Sequence, residues 1–145
     1  MLDLARQAGF EGGLFLSTLA NLTHPESLIQ AKKLGANRVI LPRELSIDEV
    51  RMLLRHQGRF FCIYDARALP RLCTALDAAG LGLRRVLPVR ARRSQPATRL
   101  LVEARKNAAH ETVLEAPLTL HGGAAACGGS PAWSKAALHF CPWLE

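Results

Sequence analysis

The chain has 145 residues, 49% of them hydrophobic and 21% charged, which is ordinary for a globular domain that buries a core. No apolar run approaches the roughly eighteen residues of a membrane span. The opening Met1-Leu2-Asp3-Leu4-Ala5-Arg6 lacks the basic and apolar regions of a secretory leader, so a soluble, cytoplasmic protein with no membrane partner is expected.

Residues 13–19 read as a mostly apolar strand. Thr23-His24-Pro25-Glu26 has the capping-box pattern and opens a helix that Gly35 closes. Residues 37–41 form the next strand. A second capping box, Ser46 with Glu49, and a staple of Leu45 with Val50 open a helix ending near Gln57-Gly58. Residues 59–64 are a third strand, 66–79 a helix ended by Gly80, and 83–89 a fourth strand. Strands beginning near 13, 37, 59 and 83 keep the period of βα units and predict a parallel arrangement covered by helices on both faces.

The pattern changes after Val89. Too few residues separate 83–89 from the apolar 98–104 for a helix, so the two pair as an antiparallel hairpin. A last strand over 112–121, interrupted by Pro117, belongs at an edge. The fold class is therefore α/β: a partial parallel sheet of βα units closed by an antiparallel β-hairpin, a fragment of a barrel-like or Rossmann-like architecture. Residues 1–121 are expected to form one α/β domain. Residues 122–145 form a Gly/Ala-rich linker and a short helix, which Ser130-Pro131 opens and which carries Trp133, Ala137 and Phe140. The aromatic tail either docks on the core or is an unstructured end.

The formal charge of +7 is unevenly spread. Residues 84–106 hold eight basic side chains against Glu103 alone, whereas 1–83 hold ten basic and eight acidic ones. Arg84, Arg85, Arg90, Arg92, Arg93 and Arg99 are the candidate RNA-binding residues, because a local basic patch attracts phosphate by counterion release and steering. The alternative is a solvated, Arg-rich hairpin that keeps the chain soluble.

The four cysteines, Cys62, Cys73, Cys127 and Cys141, have no C-x-x-C spacing and read as thiols rather than a disulfide framework. His110, His121, Cys127, His139 and Cys141 make a nitrogen- and sulfur-rich tail that fits no familiar zinc spacing, so no metal is expected.

Ligands in parallel α/β folds meet the C-terminal ends of strands. That rule selects Ser17, Thr18, Asn21 and His24, then Arg43 and Glu44, then Asp65 and Arg67. Arg43 and Glu44 are the weak catalytic candidates, against an ion pair that anchors the next helix. His24 before Pro25 is an acid–base group or a first-turn capping residue. Ser17 and Thr18 lack a Gly-x-Ser-x-Gly elbow.

Two resemblances meet near residue 55. Ser17-Thr18-Leu19-Ala20-Asn21 with Leu34-Gly35-Ala36-Asn37-Arg38-Val39-Ile40-Leu41-Pro42-Arg43-Glu44-Leu45-Ser46 resembles the collagenase-like peptidase U family over about 2–56. Members of that family serve in tRNA hydroxylation or as accessories of ubiquinone hydroxylation, some with an iron–sulfur cluster. The family's Ser-Gly-x-Cys stretch is missing, so neither proteolysis nor cluster binding carries over.

From about 53 to 121, Gly58-Arg59-Phe60, Leu83-Arg84-Arg85-Val86-Leu87-Pro88-Val89, Leu101-Val102-Glu103-Ala104-Arg105-Lys106 and Pro117-Leu118-Thr119-Leu120-His121 resemble the C-terminal end of tRNA-valine N6-adenine methyltransferases. There they imply the fifth strand, its helix and a closing strand pair with an antiparallel last strand. The Gly-rich loop for S-adenosylmethionine and the Asn-Pro-Pro-Tyr segment are absent, so no cofactor is expected.

These resemblances imply a tRNA-modification-related, non-catalytic protein with a basic RNA-contacting segment and a family junction at 50–58. The alternatives are a truncated methyltransferase relative, or a structural module that self-associates through a sheet edge or the aromatic tail.

Overall fold

The computed structural model describes Leu4, residues 7–122 and residues 132–141. The chain divides into two compact units, Met1–Arg55 and His56–Glu145.

In the first unit, β1 (Phe15–Leu16) pairs in parallel with β2 (Arg38–Val39), Phe15 opposite Arg38 and Leu16 opposite Val39. Asn37 clamps the entry to this pair. Its side-chain oxygen accepts from Leu14 N at 2.9 Å and its backbone N–H donates to Leu14 O at 2.8 Å. The regular strand is two residues rather than the seven expected, because Thr18–Ala20 turn into a 3₁₀ helix and Asn21 takes a left-handed φ of 44°.

Helix α1 (Pro25–Lys33) connects the two strands, and its N-cap is His24, not Thr23. The pyrrolidine of Pro25 excludes helical backbone at the residue before it, so His24 stays extended at φ −123°, ψ 146°. Pro25 instead takes the first helical position, where its missing N–H is harmless. The expected stop holds: Gly35 follows the C-cap Leu34 at φ 86°. Helix α2 (Ile47–Leu53) starts on the expected capping box, Glu49 N donating to Ser46 Oγ at 3.3 Å and Ser46 N to Glu49 Oε2 at 2.7 Å. The Ser46 backbone N–H, with its hydroxyl, holds the Glu49 carboxyl below its usual range. The helix ends earlier than expected, at Leu53.

In the second unit, β3 (Arg59–Asp65), β4 (Leu81–Arg90) and β5 (Arg99–Lys106) form the centre of a sheet. Its order is β3-β5-β4, with β6 (Val113–Leu114) and β7 (Leu118–Thr119) both parallel to β4 at the far edge. Pro117 separates these two short strands, as its missing donor requires. The expected hairpin is present, Val86 opposite Val102 and Leu81 opposite Lys106. The third and fourth strands run in the same direction, as the expected parallel arrangement has them, but they are not neighbours. β5 enters between β3 and β4 and is antiparallel to both, Cys62 opposite Val102. The βα period fixes where strands begin and says nothing about which strand becomes a neighbour.

Helix α3 (Leu69–Ala78) packs on β4 and ends at Gly80, φ 63°. The core lies under it: Leu72, Leu76, Leu81, Leu83, Val86, Leu100, Val102 and Ala104 are buried. Full burial of one such leucine is worth about 2 kcal/mol. The expected helices on both faces are not realised along β3, where Phe61 and Ile63 are exposed. Cys62, facing the other way, is half-buried, and desolvation pushes its thiol up to about 11. Cys62, Cys73 and Cys141 are free thiols.

Helix α4 (Lys135–Phe140) starts later than the Ser130-Pro131 signal suggests, capped by Ser134 Oγ accepting from Ala137 N at 3.0 Å. Trp133 consequently precedes the helix. Ser130, Pro131, Cys127 and most of the Gly/Ala-rich stretch lie outside the described residues. Among the described residues, no helix is long and apolar enough to cross a membrane.

Candidate nucleic-acid interface

The end of β4 and the turn after it build one loop cluster. Thr98 N donates to Val89 O at 3.0 Å and Gln95 N to Arg92 O at 3.0 Å, folding residues 91–98 into a tight connection. β7 runs beside the end of β4, Val89 opposite Leu118 and Arg90 opposite Thr119. Beyond it, His121 N donates to Ala91 O at 2.9 Å. His121 also bridges to Trp133, their rings stacked with centroids 4.8 Å apart and an interplanar angle of 26°. Ser134 N donates to Leu120 O at 2.7 Å, and the Ser134 hydroxyl donates to Thr119 O while capping α4.

Arg92, Arg93, Ser94, Thr119, His121 and Ser134 line a shallow, open cleft of about 500 Å³. Among the described residues, His121 Nδ1 is buried without a hydrogen-bond partner. An unmet buried nitrogen costs about 1–3 kcal/mol.

The six arginines of the basic segment divide in two. Arg84 pairs with Glu111 at 3.0 Å and donates to Ala109 O at 3.3 Å. Arg85 Nε donates to Glu115 at 2.9 Å, and that carboxylate raises the Arg85 pKa. Arg90 Nε donates to Thr119 Oγ1 at 2.9 Å, and Arg99 reaches Asp65 at 3.4 Å and Thr98 O at 3.0 Å. Arg92 and Arg93 are exposed, and neither guanidinium has a partner among the described residues. The structure thus brings two of the six onto the cleft and ties the other four to internal acceptors.

The remaining candidates are scattered. Arg43 and Glu44 form an ion pair at 3.5 Å on an exposed turn before α2, their side chains 96% and 74% exposed. Such a pair contributes little. Ser17 and Thr18 are exposed, and His24 caps α1 without a side-chain hydrogen bond. Asp65 accepts from Arg67 N at 2.9 Å, capping a 3₁₀ turn, and this hydrogen bond, with Arg67 and Arg99, holds its pKa below the usual range. His110 is engaged elsewhere, Nδ1 accepting from Leu83 N at 3.4 Å and Nε2 lying 3.2 Å from Asp77. Among the described residues, no three His, Cys, Asp or Glu side chains gather around a metal position. Sequence reasoning missed Ser94, Thr119 and Ser134 as lining residues and the His121–Trp133 stack, because no local spacing signals a bridge between residues so far apart.

The fold defined by these elements is α/β, and it has a methyltransferase-like neighbour among solved structures. The crystal structure described as a predicted O-methyltransferase, protein Atu636 from Agrobacterium tumefaciens, superposes with a TM-score of 0.53 at 20% identity. The match covers 72% of this chain and 52% of that one, so this chain spans about half the length of that neighbour. The likeness establishes the fold alone. The model of peptidase family U32 matches residues 1–63, reaching past the first unit into β3. No curated protein matches the chain.

Proposed function

We propose that the chain is a non-catalytic, RNA-contacting module related to tRNA-modification proteins, meeting RNA phosphate through Arg92 and Arg93. The observation that carries this reading is the contrast within the basic segment. Arg84, Arg85, Arg90 and Arg99 are occupied by internal acceptors, whereas Arg92 and Arg93 are exposed, unpaired among the described residues, and line one cleft. The peptidase family U32 match over residues 1–63 and the methyltransferase-like fold supply the context. The missing Ser-Gly-x-Cys, Gly-rich and Asn-Pro-Pro-Tyr segments support a role without catalysis or cofactor. Titration of the full chain with tRNA at several salt concentrations tests the reading. Each phosphate contact adds about 0.9 to the slope of log affinity against log salt. Arg92→Ala with Arg93→Ala is expected to lower the slope by about 2 and the affinity at least tenfold, while Arg84→Ala leaves the slope in place. An unchanged slope in the double variant refutes the assignment.

A second reading, self-association through the sheet edge, is favoured by β3. Among the described residues it pairs only with β5, and it exposes Phe61, with the Arg59 guanidinium 4.9 Å above the ring, and Ile63. This reading expects a mass that rises with concentration in sedimentation and falls to the monomer in Ile63→Lys. A monomer at every concentration removes it.

A further inference from the structure

We infer that the Arg92–His121 cleft takes a single unpaired nucleotide of RNA, its phosphate on Arg92, Arg93 and the Ser94 hydroxyl, its base stacked on Trp133. The inference rests on the RNA reading above and adds what kind of RNA is bound. Two guanidiniums alone would accept any polyanion. The adjoining aromatic pair makes the difference.

Trp133 is not itself a lining residue but adjoins two that are, preceding Ser134 in sequence and stacked on the His121 ring at 4.8 Å, and it remains 39% exposed. The pair is held rather than loose. His121 and Trp133 form an antiparallel bridge, Gly122 N donates to Ala132 O at 3.1 Å, and Ser134 N donates to Leu120 O at 2.7 Å. A platform fixed in advance loses little freedom when a base settles on it. The cleft volume of about 500 Å³ lies within the range of small-ligand sites.

Unpaired bases stack on aromatic side chains, and duplex RNA offers only phosphate and ribose because its bases are already stacked. The cleft therefore prefers single strands. The chain has two tryptophans, so the full chain carrying Trp143→Phe reports Trp133 by its emission. It is titrated with hexauridylate, a short RNA duplex, inorganic phosphate and a polyglutamate peptide. Hexauridylate is expected to quench the emission and bind about tenfold tighter than the duplex. In the wild-type background, followed by anisotropy of labelled RNA, Trp133→Leu is expected to lose about that factor for hexauridylate and none for the duplex. Trp133→Phe keeps most of the affinity, and a thermal melt of both variants separates lost stacking from lost folding. Equal affinity for hexauridylate and duplex, unaffected by Trp133→Leu, overturns this inference and leaves the RNA reading standing. Absence of salt-dependent binding to either RNA overturns both, and so does equally tight binding of polyglutamate.

Discussion

Gly82→Ala is expected to destabilise the His56–Glu145 unit by about 3 kcal/mol, the upper part of the usual range for overpacking a buried site. Gly82 lies in β4 opposite Arg105, next to the register shift between Leu83 and Arg85. A methyl group there would collide with the Ala108 carbonyl oxygen and come within 2.8 Å of the Ala109 oxygen. Both are backbone atoms, so no side-chain rotation relieves the clash. The segment carrying them cannot easily retreat either. Asn107, in left-handed conformation at φ 57°, donates its N–H to Gly80 O at 3.0 Å. Leu83 N donates to His110 Nδ1 at 3.4 Å, and Thr112 Oγ1 donates to Leu83 O at 3.1 Å. Lifting residues 107–112 off β4 would sacrifice these bonds and the Arg84–Glu111 pair. For a unit of this size, a loss of about 3 kcal/mol lowers the melting temperature by roughly 12–24 °C. Circular dichroism of the variant measures it. A shift of only a degree or two would mean that the 107–112 segment moves freely and that its hydrogen bonds do not hold it to the strand.

Gly82 illustrates what the sequence conceals. A glycine inside a strand signals weakness or close approach, and nothing local says what approaches. Signals confined to a few neighbouring residues were legible. Ser46 and Glu49 form the capping box their spacing predicts, Gly35 and Gly80 close their helices at positive φ, and the short connection after β4 forces a hairpin. The Thr23–Glu26 pattern failed because Pro25 restricts the residue before it, a competing local rule that also stands in the sequence. Long-range facts were not legible. β5 finds its place between β3 and β4 through hydrogen bonds to both, which a βα period cannot anticipate. Charge behaved in the same way. A run of eight basic residues reads as one patch, yet Glu111, Glu115 and Asp65 arrive from outside the run and occupy Arg84, Arg85 and Arg99. Arg92 and Arg93, without a partner among the described residues, are selected by the fold rather than by composition. The His121–Trp133 stack, on which the nucleotide proposal depends, likewise exists only because two distant segments bridge.

Glu103→Ala is the second large effect, with an expected loss of about 2 kcal/mol. Glu103 is the one charged residue buried among those described, 5% exposed, between Phe61 on β3 and Arg85 on β4. Arg59 grips it with two bonds, Nε to Oε1 at 2.9 Å and Nη2 to Oε2 at 3.2 Å, and Arg105 Nε adds a third at 3.3 Å. Arg59 and Arg105 are themselves direct cross-strand partners. The carboxylate therefore separates two like charges that would otherwise face each other, an arrangement that destabilises a sheet. Breaking a fully buried pair costs about 3–5 kcal/mol. The guanidiniums here are 52% and 39% exposed, and water screening them brings the figure down to about 2 kcal/mol. Burial pushes the Glu103 carboxyl upward, but the hydrogen bonds and charges of Arg59 and Arg105 together outweigh it and leave the pKa below its usual value. The unfolded chain then binds the proton at higher pH than the folded one. This stabilisation is complete above the unfolded value, about 4.3, and is lost as pH falls through the lower folded value. Glu49 and Asp65, whose pKa values are also lowered, titrate in the same acid region. A single stability curve would mix all three. The difference between wild type and Glu103→Gln isolates one carboxylate: urea midpoints should lie apart at pH 7 and converge toward pH 3. Curves that stay parallel over that interval would mean that Glu103 is held by packing and that its charge contributes nothing.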